Sequence, residues 1–152
     1  MSRMYVVPFV SVTISAAQDA FELRPATDKP ITIHKVVITP DSSETNQQIL
    51  VRIKRLPATV TSGTGGTTPT PVPLNSHDAA AAFTAEVNNT GRATTSGTAL
   101  DLNPESFPSQ GGFEYLPDVP ARPVFFAGEA CIVGIEEAPA VACSGFALVE
   151  EM

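Results

Sequence analysis

Along much of the chain apolar and polar residues alternate with a period of two, the signature of half-buried strands rather than helices. Val10, Val12 and Ile14 alternate with Ser11, Thr13 and Ser15, closing an apolar stretch that opens at Met4. Residues 21–24 repeat the pattern briefly. Residues 31–39 change parity midway, from Ile31 and Ile33 to Val36 and Ile38. That change predicts a bulge or a strand covered on both faces. Residues 49–55 give the cleanest alternation, with Ile49, Val51 and Ile53 inward and Arg52 and Lys54 outward. Short strands also fit residues 83–88, 98–102, 112–116 and 123–126, and a closing hairpin pairs residues 130–136 with 144–150. Residues 39–44 read as a polar turn, and 76–82 carry a helical option, with Ser76 or Asp78 capping four alanines.

Eight to ten short strands punctuated by Gly and Pro predict an all-β fold, an antiparallel β-sandwich or a barrel, in one domain spanning 1–152. The β propensity of 15 Val and 16 Thr points the same way. Residues 1–15 form an N-terminal strand or arm. Arg3, the apolar run and Ser15-Ala16-Ala17 imitate a secretion signal, but Pro8 and three hydroxyls interrupt that run. No other apolar stretch approaches the ~20 residues of a membrane span. The expectation is a soluble protein with no membrane partner, made in a cytoplasm.

Residues 57–75 are too long for a hairpin turn. A flexible part rich in Gly and Thr, 61–68, runs into Pro69, Pro71 and Pro73, which stiffen the exit. Such a finger either reaches a neighbouring subunit or links two strands over a sandwich edge. If it reaches out, removing residues 61–70 should leave the fold intact.

Composition narrows the chemistry. Lys and Arg number 9 against 16 Asp and Glu, a net charge of −7, which argues against clamping a phosphate backbone. Two His and two Cys are too few for a zinc cage. In the closing hairpin Cys131 lies far from the turn and Cys143 beside it, roughly five residues or ~16 Å apart. A disulfide needs Cα atoms within ~7 Å, so two free, buried thiols are expected.

No catalytic arrangement emerges from the remaining residues. Gly63, Gly65 and Gly66 lack the Lys and the strand-to-helix setting of a phosphate loop. His77-Asp78 lacks a serine on a strained elbow and reads as a helix-capping or loop pair, and His34 as a half-buried sheet residue. Glu136/Glu137 and Glu150/Glu151 are strand neighbours that point to opposite faces. Asp41 and Glu44 lack the spacing of a calcium loop, and Asn88-Asn89-Thr90 is a glycosylation sequon without a secretory context. Eight Phe and two Tyr lack the basic interleaving of a nucleic-acid platform. The expectation is a non-enzyme without cofactor or metal.

Several segments resemble a group of small virion proteins of tailed bacteriophages. They are residues 21–26 leading to 29–34, the polar turn at 41–44, and 48–53. The Gly/Thr-rich finger running into Thr70-Pro71-Val72-Pro73-Leu74-Asn75 is the most distinctive, followed by 113–117 and the acidic ending 148–151. The resemblance implies a jelly-roll sandwich acting as a capsid decoration or cement protein on the outer surface of the virion. It implies the major capsid protein as partner, homo-oligomers (trimers ahead of dimers) and no nucleic acid. Contacts are expected from Met4, Tyr5, Val6, Val7 and Phe9 of the first strand, and from Thr61, Thr64, Thr67, Thr68, Pro69 and Pro71 of the finger. Two rivals stand beside it. One is a tail-fibre, receptor-binding or carbohydrate-binding sandwich, which scarce Tyr and absent Trp disfavour. The other is a cupin-like enzyme, which would need clustered His.

Overall fold

A computed structural model describes residues 1–41 and 46–152; Ser42, Ser43 and Glu44 of the expected polar turn, and with Glu44 the calcium-loop option, lie outside them. The chain is all-β, 58% strand and 2% helix. One antiparallel sheet, sheet A, contains β1 (Arg3–Ile14), β3 (Ile31–Pro40), β6 (Val72–Pro73), β10 (Phe113–Tyr115), β11 (Val124–Phe125) and β13 (Val141–Glu151). Its order is β10-β3-β13-β1-β6, with β11 sharing the outer edge of β3. Sheet B contains β2 (Gln18–Arg24), β4 (Gln48–Leu56), β7 (Thr84–Asn89), β9 (Leu100–Pro108) and β12 (Ala130–Ile135), in the order β7-β2-β12-β4-β9. A ribbon of β5 (Val60–Thr61) and β8 (Thr94–Thr95) stands apart. The sheets enclose one core, in which Tyr5, Val7, Phe9, Ile33, Val149 and Ala147 of sheet A meet Phe21, Leu23, Ile53 and Val133 of sheet B. This arrangement is consistent with a β-sandwich.

Two bulges explain the irregular sequence periods. In β1 the register slips between Phe9 and Val12, where Ser11 adopts φ 50°. Tyr5, Val7 and Phe9 therefore point inward before the slip and Ile14 after it, while Val10 turns out to solvent. The alternation of Val10 with Val12 and Ile14 is corrected accordingly. In β3 the slip falls between Ile33 and Lys35, opposite Val149 and Leu148, so that Ile31, Ile33, Val36 and Ile38 all reach the core. The parity change at residues 31–39 was such a bulge.

Two local expectations are corrected. Strands β12 and β13 do not form a hairpin, because they lie in opposite sheets. Cys131 pairs in register with Leu23 and Arg55, and Cys143 with Val12 and Pro40. Both thiols are free and buried, and burial pushes Cys131 up to about 12 and Cys143 up to about 11. Residues 76–82 form turns rather than a helical segment; among the described residues the helix is a 3-10 turn at Val119–Ala121. Four alanines do not hold a helix without an apolar face to bury. The pair of Tyr5 and Phe83, with ring centroids 5.6 Å apart, instead packs this segment's exit extended.

Residues 57–75 link the two sheets over the sandwich edge. Thr64 and Gly91 exchange backbone hydrogen bonds of 2.7 and 3.0 Å, and Thr67 and Val87 exchange bonds of 3.1 and 2.9 Å. Farther on, Val72 and Pro73 pair with Val6 and Tyr5 of sheet A. The finger is thus a strap running from the edge of one sheet to the edge of the other. Removing residues 61–70 would strip backbone partners from Val87 and Gly91 and two donors from Glu22, which counts against the expectation that they are dispensable for folding. The strap depends on glycine: a Cβ on Gly66 would collide with the carbonyl oxygen of Val87. Gly66→Ala should destabilise the protein by ~1–3 kcal/mol, the cost of overpacking. Thermal unfolding should show this as a lowered Tm, and an unchanged Tm would mean that the strap is not seated as described.

Candidate interaction surface

The outer faces of the two sheets differ in what lies over them. On sheet B, β2 points two carboxylates away from the core, yet Asp19 and Glu22 are only 1% and 2% exposed. Buried carboxylates need donors, and residues 62–93 supply them. Glu22 accepts from Ser62 Oγ at 2.8 Å, from Gly63 N at 2.9 Å and from Asn89 Nδ2 at 3.3 Å. Asp19 accepts from Arg92 Nε at 2.9 Å and from Ala93 N at 2.8 Å. Arg92 also grips Glu136 with two bonds of 2.6 and 2.9 Å. A Cβ at Gly134 would strike the Arg92 guanidinium, so glycine there lets the side chain lie flat across β12.

Lys54 and Arg52, the outward pair read from the sequence, extend this network to Glu136 at 3.6 and 3.9 Å. Arg52 continues to Asp101 through bonds of 2.9 and 2.7 Å. Beside the network, Leu56, Ala130 and Ile132 form a second small core under Val60 and Ala93 of the ribbon segments. Over β2, β12 and β7 this face is covered, while β9 at its edge stays largely exposed.

Sheet A presents a different outer face. Cross-strand partners form rows: Val72–Val6–Leu148–Lys35 in one, and Pro8–Phe146–Val37–Glu114 in the next. Met4 and Leu74 flank them, joined by a 2.9 Å bond from Leu74 N to Met4 O. Met4, Val6, Val37, Phe146 and Leu148 are half-buried, whereas Val72 is 52% exposed, Leu74 61% and Val10 75%. Along one side the apolar block is rimmed by His34 with Glu150 at 2.6 Å and Lys35 with Glu114 at 2.8 Å. The amine of Lys35 also lies 6.0 Å from the centre of the Phe146 ring. The hydrogen bond from Ser2 and that from His34 hold the Glu150 carboxyl below its ordinary value.

The expected contact residues divide. Met4 and Val6 belong to this open face, but Tyr5, Val7 and Phe9 are core residues at 0, 0 and 6% exposure. They cannot touch a partner without unfolding, so that part of the expectation is corrected. In the strap Thr61, Thr64, Thr67 and Thr68 are exposed, Pro69 is half-buried, and Pro71 is buried and unavailable. Phe146, Leu148, Val37, Val72 and Leu74 were missed. The run Phe146-Ala147-Leu148-Val149, apolar on both parities, carries the signal, because a strand apolar on both faces has something to cover each.

Other chemistry stays dispersed. His77 sits in an exposed turn where Asn75 Oδ1 accepts from its backbone N at 3.1 Å, the loop reading made from sequence. Glu151 accepts from the backbone N of Ala82 at 2.7 Å and of Phe83 at 3.0 Å, while Glu150 faces the opposite way. Among the described residues no three His, Cys, Asp or Glu side chains converge as metal ligands. No helix among them is long and apolar enough to cross a membrane. Comparison with protein-family models, with curated proteins and with solved structures finds no match.

The covered face makes its own prediction. The two Arg92 hydrogen bonds, opposed by burial, hold the Glu136 carboxyl at about 2, below its ordinary 4.5. A carboxylate depressed in the folded state contributes stability that is present above about 4.5 and is lost as pH falls toward 2. Glu136→Gln should therefore cost stability at pH 7 and little below pH 2, giving a flatter curve of unfolding free energy against pH. Urea titrations at several pH values measure this. Equal losses at both extremes would mean that the pairing with Arg92 does not carry the effect.

Proposed function

We propose that this chain is a structural virion protein: a jelly-roll sandwich that decorates and reinforces the outer surface of a phage head. The observation that carries the reading is the asymmetry of the outer faces, one largely covered by a charge network and the other apolar and open. Proteins that work by contact need such a surface, and a contiguous apolar patch at the surface is a candidate interaction site. The jelly-roll assignment is supported by strand order. With the flanking strands β6, β7 and β11 set aside, the order is β1-β13-β3-β10 in one sheet and β2-β12-β4-β9 in the other, the interleaving of two four-strand windings. The sequence resemblance to phage virion proteins supplies the capsid as partner, with the major capsid protein as the subunit touched. Preorganisation favours the same reading, since a strap pinned by Glu22 and Asn89 holds Thr61, Thr64, Thr67 and Thr68 outward without a large ordering cost on binding.

One observation favours a carbohydrate-binding module as the second reading. A cleft of about 240 Å3 lies between the end of β1, Gln18, Asn88 and the strap at Gly65–Thr67, lined by uncharged hydroxyl, amide and valine groups. Hydroxyl and amide groups over an apolar floor suit a neutral sugar ring.

Co-sedimentation with decoration-free expanded heads tests the first reading. The protein should pellet with the heads in saturable amounts, and Thr64→Arg with Thr68→Arg should lower occupancy severalfold while leaving the Tm unchanged. Failure of the wild-type protein to bind heads, together with retention on a glycan array, would replace this reading with the second.

A further inference from the structure

The open face of sheet A fits a second copy of this chain. We infer that two copies pack these faces together about a two-fold axis passing between Val6 and Leu148. The inference rests on the reading of this face as a contact surface, and it names the occupant.

Size is the first argument. The long strands of sheet A run for ten residues or more, β1 over 12 and β13 over 11. At ~3.3 Å per residue and ~4.8 Å between strands, the face is about 33 Å long and 14–24 Å wide. A standard interface takes about 800 Å2 from each partner, and a sheet face of this footprint with side-chain relief is of that order.

Layout is the second argument. A two-fold axis maps the apolar block of Val6, Val72, Leu148, Phe146 and Pro8 onto its own copy, with the Lys35–Glu114 pair bordering the block along one side beside Leu148 and Phe146. Interfaces have this apolar centre and polar rim. The flat outer face of a twisted sheet also offers the ~10 Å sheet-on-sheet spacing already used inside the sandwich.

Charge is the third. Each chain carries −7, so apposing two copies would be opposed if the carboxylates faced each other. On this face they do not stand alone: Glu150 is held by His34 and Glu114 by Lys35. Glu114 is compensated by the Lys35 ammonium, and Glu150 has the His34 imidazole as its hydrogen-bond partner. A self-complementary face closes as a dimer, in contrast to the trimer expected from the resemblance.

Sedimentation velocity and light scattering on the purified full chain test this. The wild-type protein should have twice the 15.9 kDa chain mass across the micromolar range. Val72→Glu, at a largely exposed edge position, should raise the dimer dissociation constant at least tenfold with the Tm of the monomer retained. Phe146→Glu, at the centre, should do the same, and Thr98→Glu on another surface should change nothing. A 15.9 kDa monomer throughout, a trimer, or a dimer untouched by both variants overturns the inference. Head binding is read separately: a monomer that binds heads overturns the dimer and spares the proposed function, whereas a dimer that ignores heads supports the inference and removes that function.

Discussion

Asp19 and Glu22 project from the outward side of β2 and are almost wholly buried. An unpaired buried carboxylate costs several kcal/mol, so these two side chains require that something carrying donors be folded over sheet B. Residues 57–97 meet that requirement. Ser62, Gly63 and Asn89 satisfy Glu22, while Arg92 and Ala93 satisfy Asp19. Much else follows from this layer. It draws the strap across the edge of β7, closes the small core of Leu56, Ala130 and Ile132, and delivers Val72 and Pro73 to the free side of β1. Because the long insertion is committed to sheet B, sheet A keeps its outer face open.

The open face would be a liability if its edges were equally open. Edge strands invite further pairing, and this fold blunts them. Pro8 and the bulge at Ser11 interrupt β1 beyond the two residues that β6 covers. Pro104 and Pro108 interrupt β9, which pairs with β4 on one side only. Proline removes a donor without disturbing the ladder when its nitrogen points away from the partner strand. The apolar face is therefore offered for face-to-face packing, with side-by-side extension of the sheets discouraged. That division would suit the proposed packing of two copies.

Much of this was legible in the sequence, and what was missed has physical reasons. Period-two patterning located most strands, and the parity change between Ile33 and Val36 announced the bulge in β3. Ile49, Val51 and Ile53 faced inward as read. The inferred hairpin of residues 130–136 and 144–150 failed because proximity in sequence does not tell whether a short loop turns within a sheet or crosses between sheets. Tyr5, Val7 and Phe9 were assigned to contact although the bulge at Ser11 turns them into the core. Arg92 gave no local signal, since its partners Asp19 and Glu136 lie 73 and 44 residues away. The apolar double parity of β13 was visible, but which of its sides would be left uncovered depended on where residues 57–75 went.

One outer face is covered over β2, β12 and β7, and the other is the proposed contact surface. Hydroxyl-radical footprinting of the purified chain, in dilute and concentrated solution, reads the two faces in one experiment. Met4, Phe146 and Leu148 should be oxidised when dilute and protected when concentrated. Ile132, beneath the ribbon, should be protected in both, and Phe126, exposed elsewhere, in neither. Oxidation of Phe146 and Leu148 that does not change with concentration, or reactivity at Ile132 matching theirs, would contradict the account.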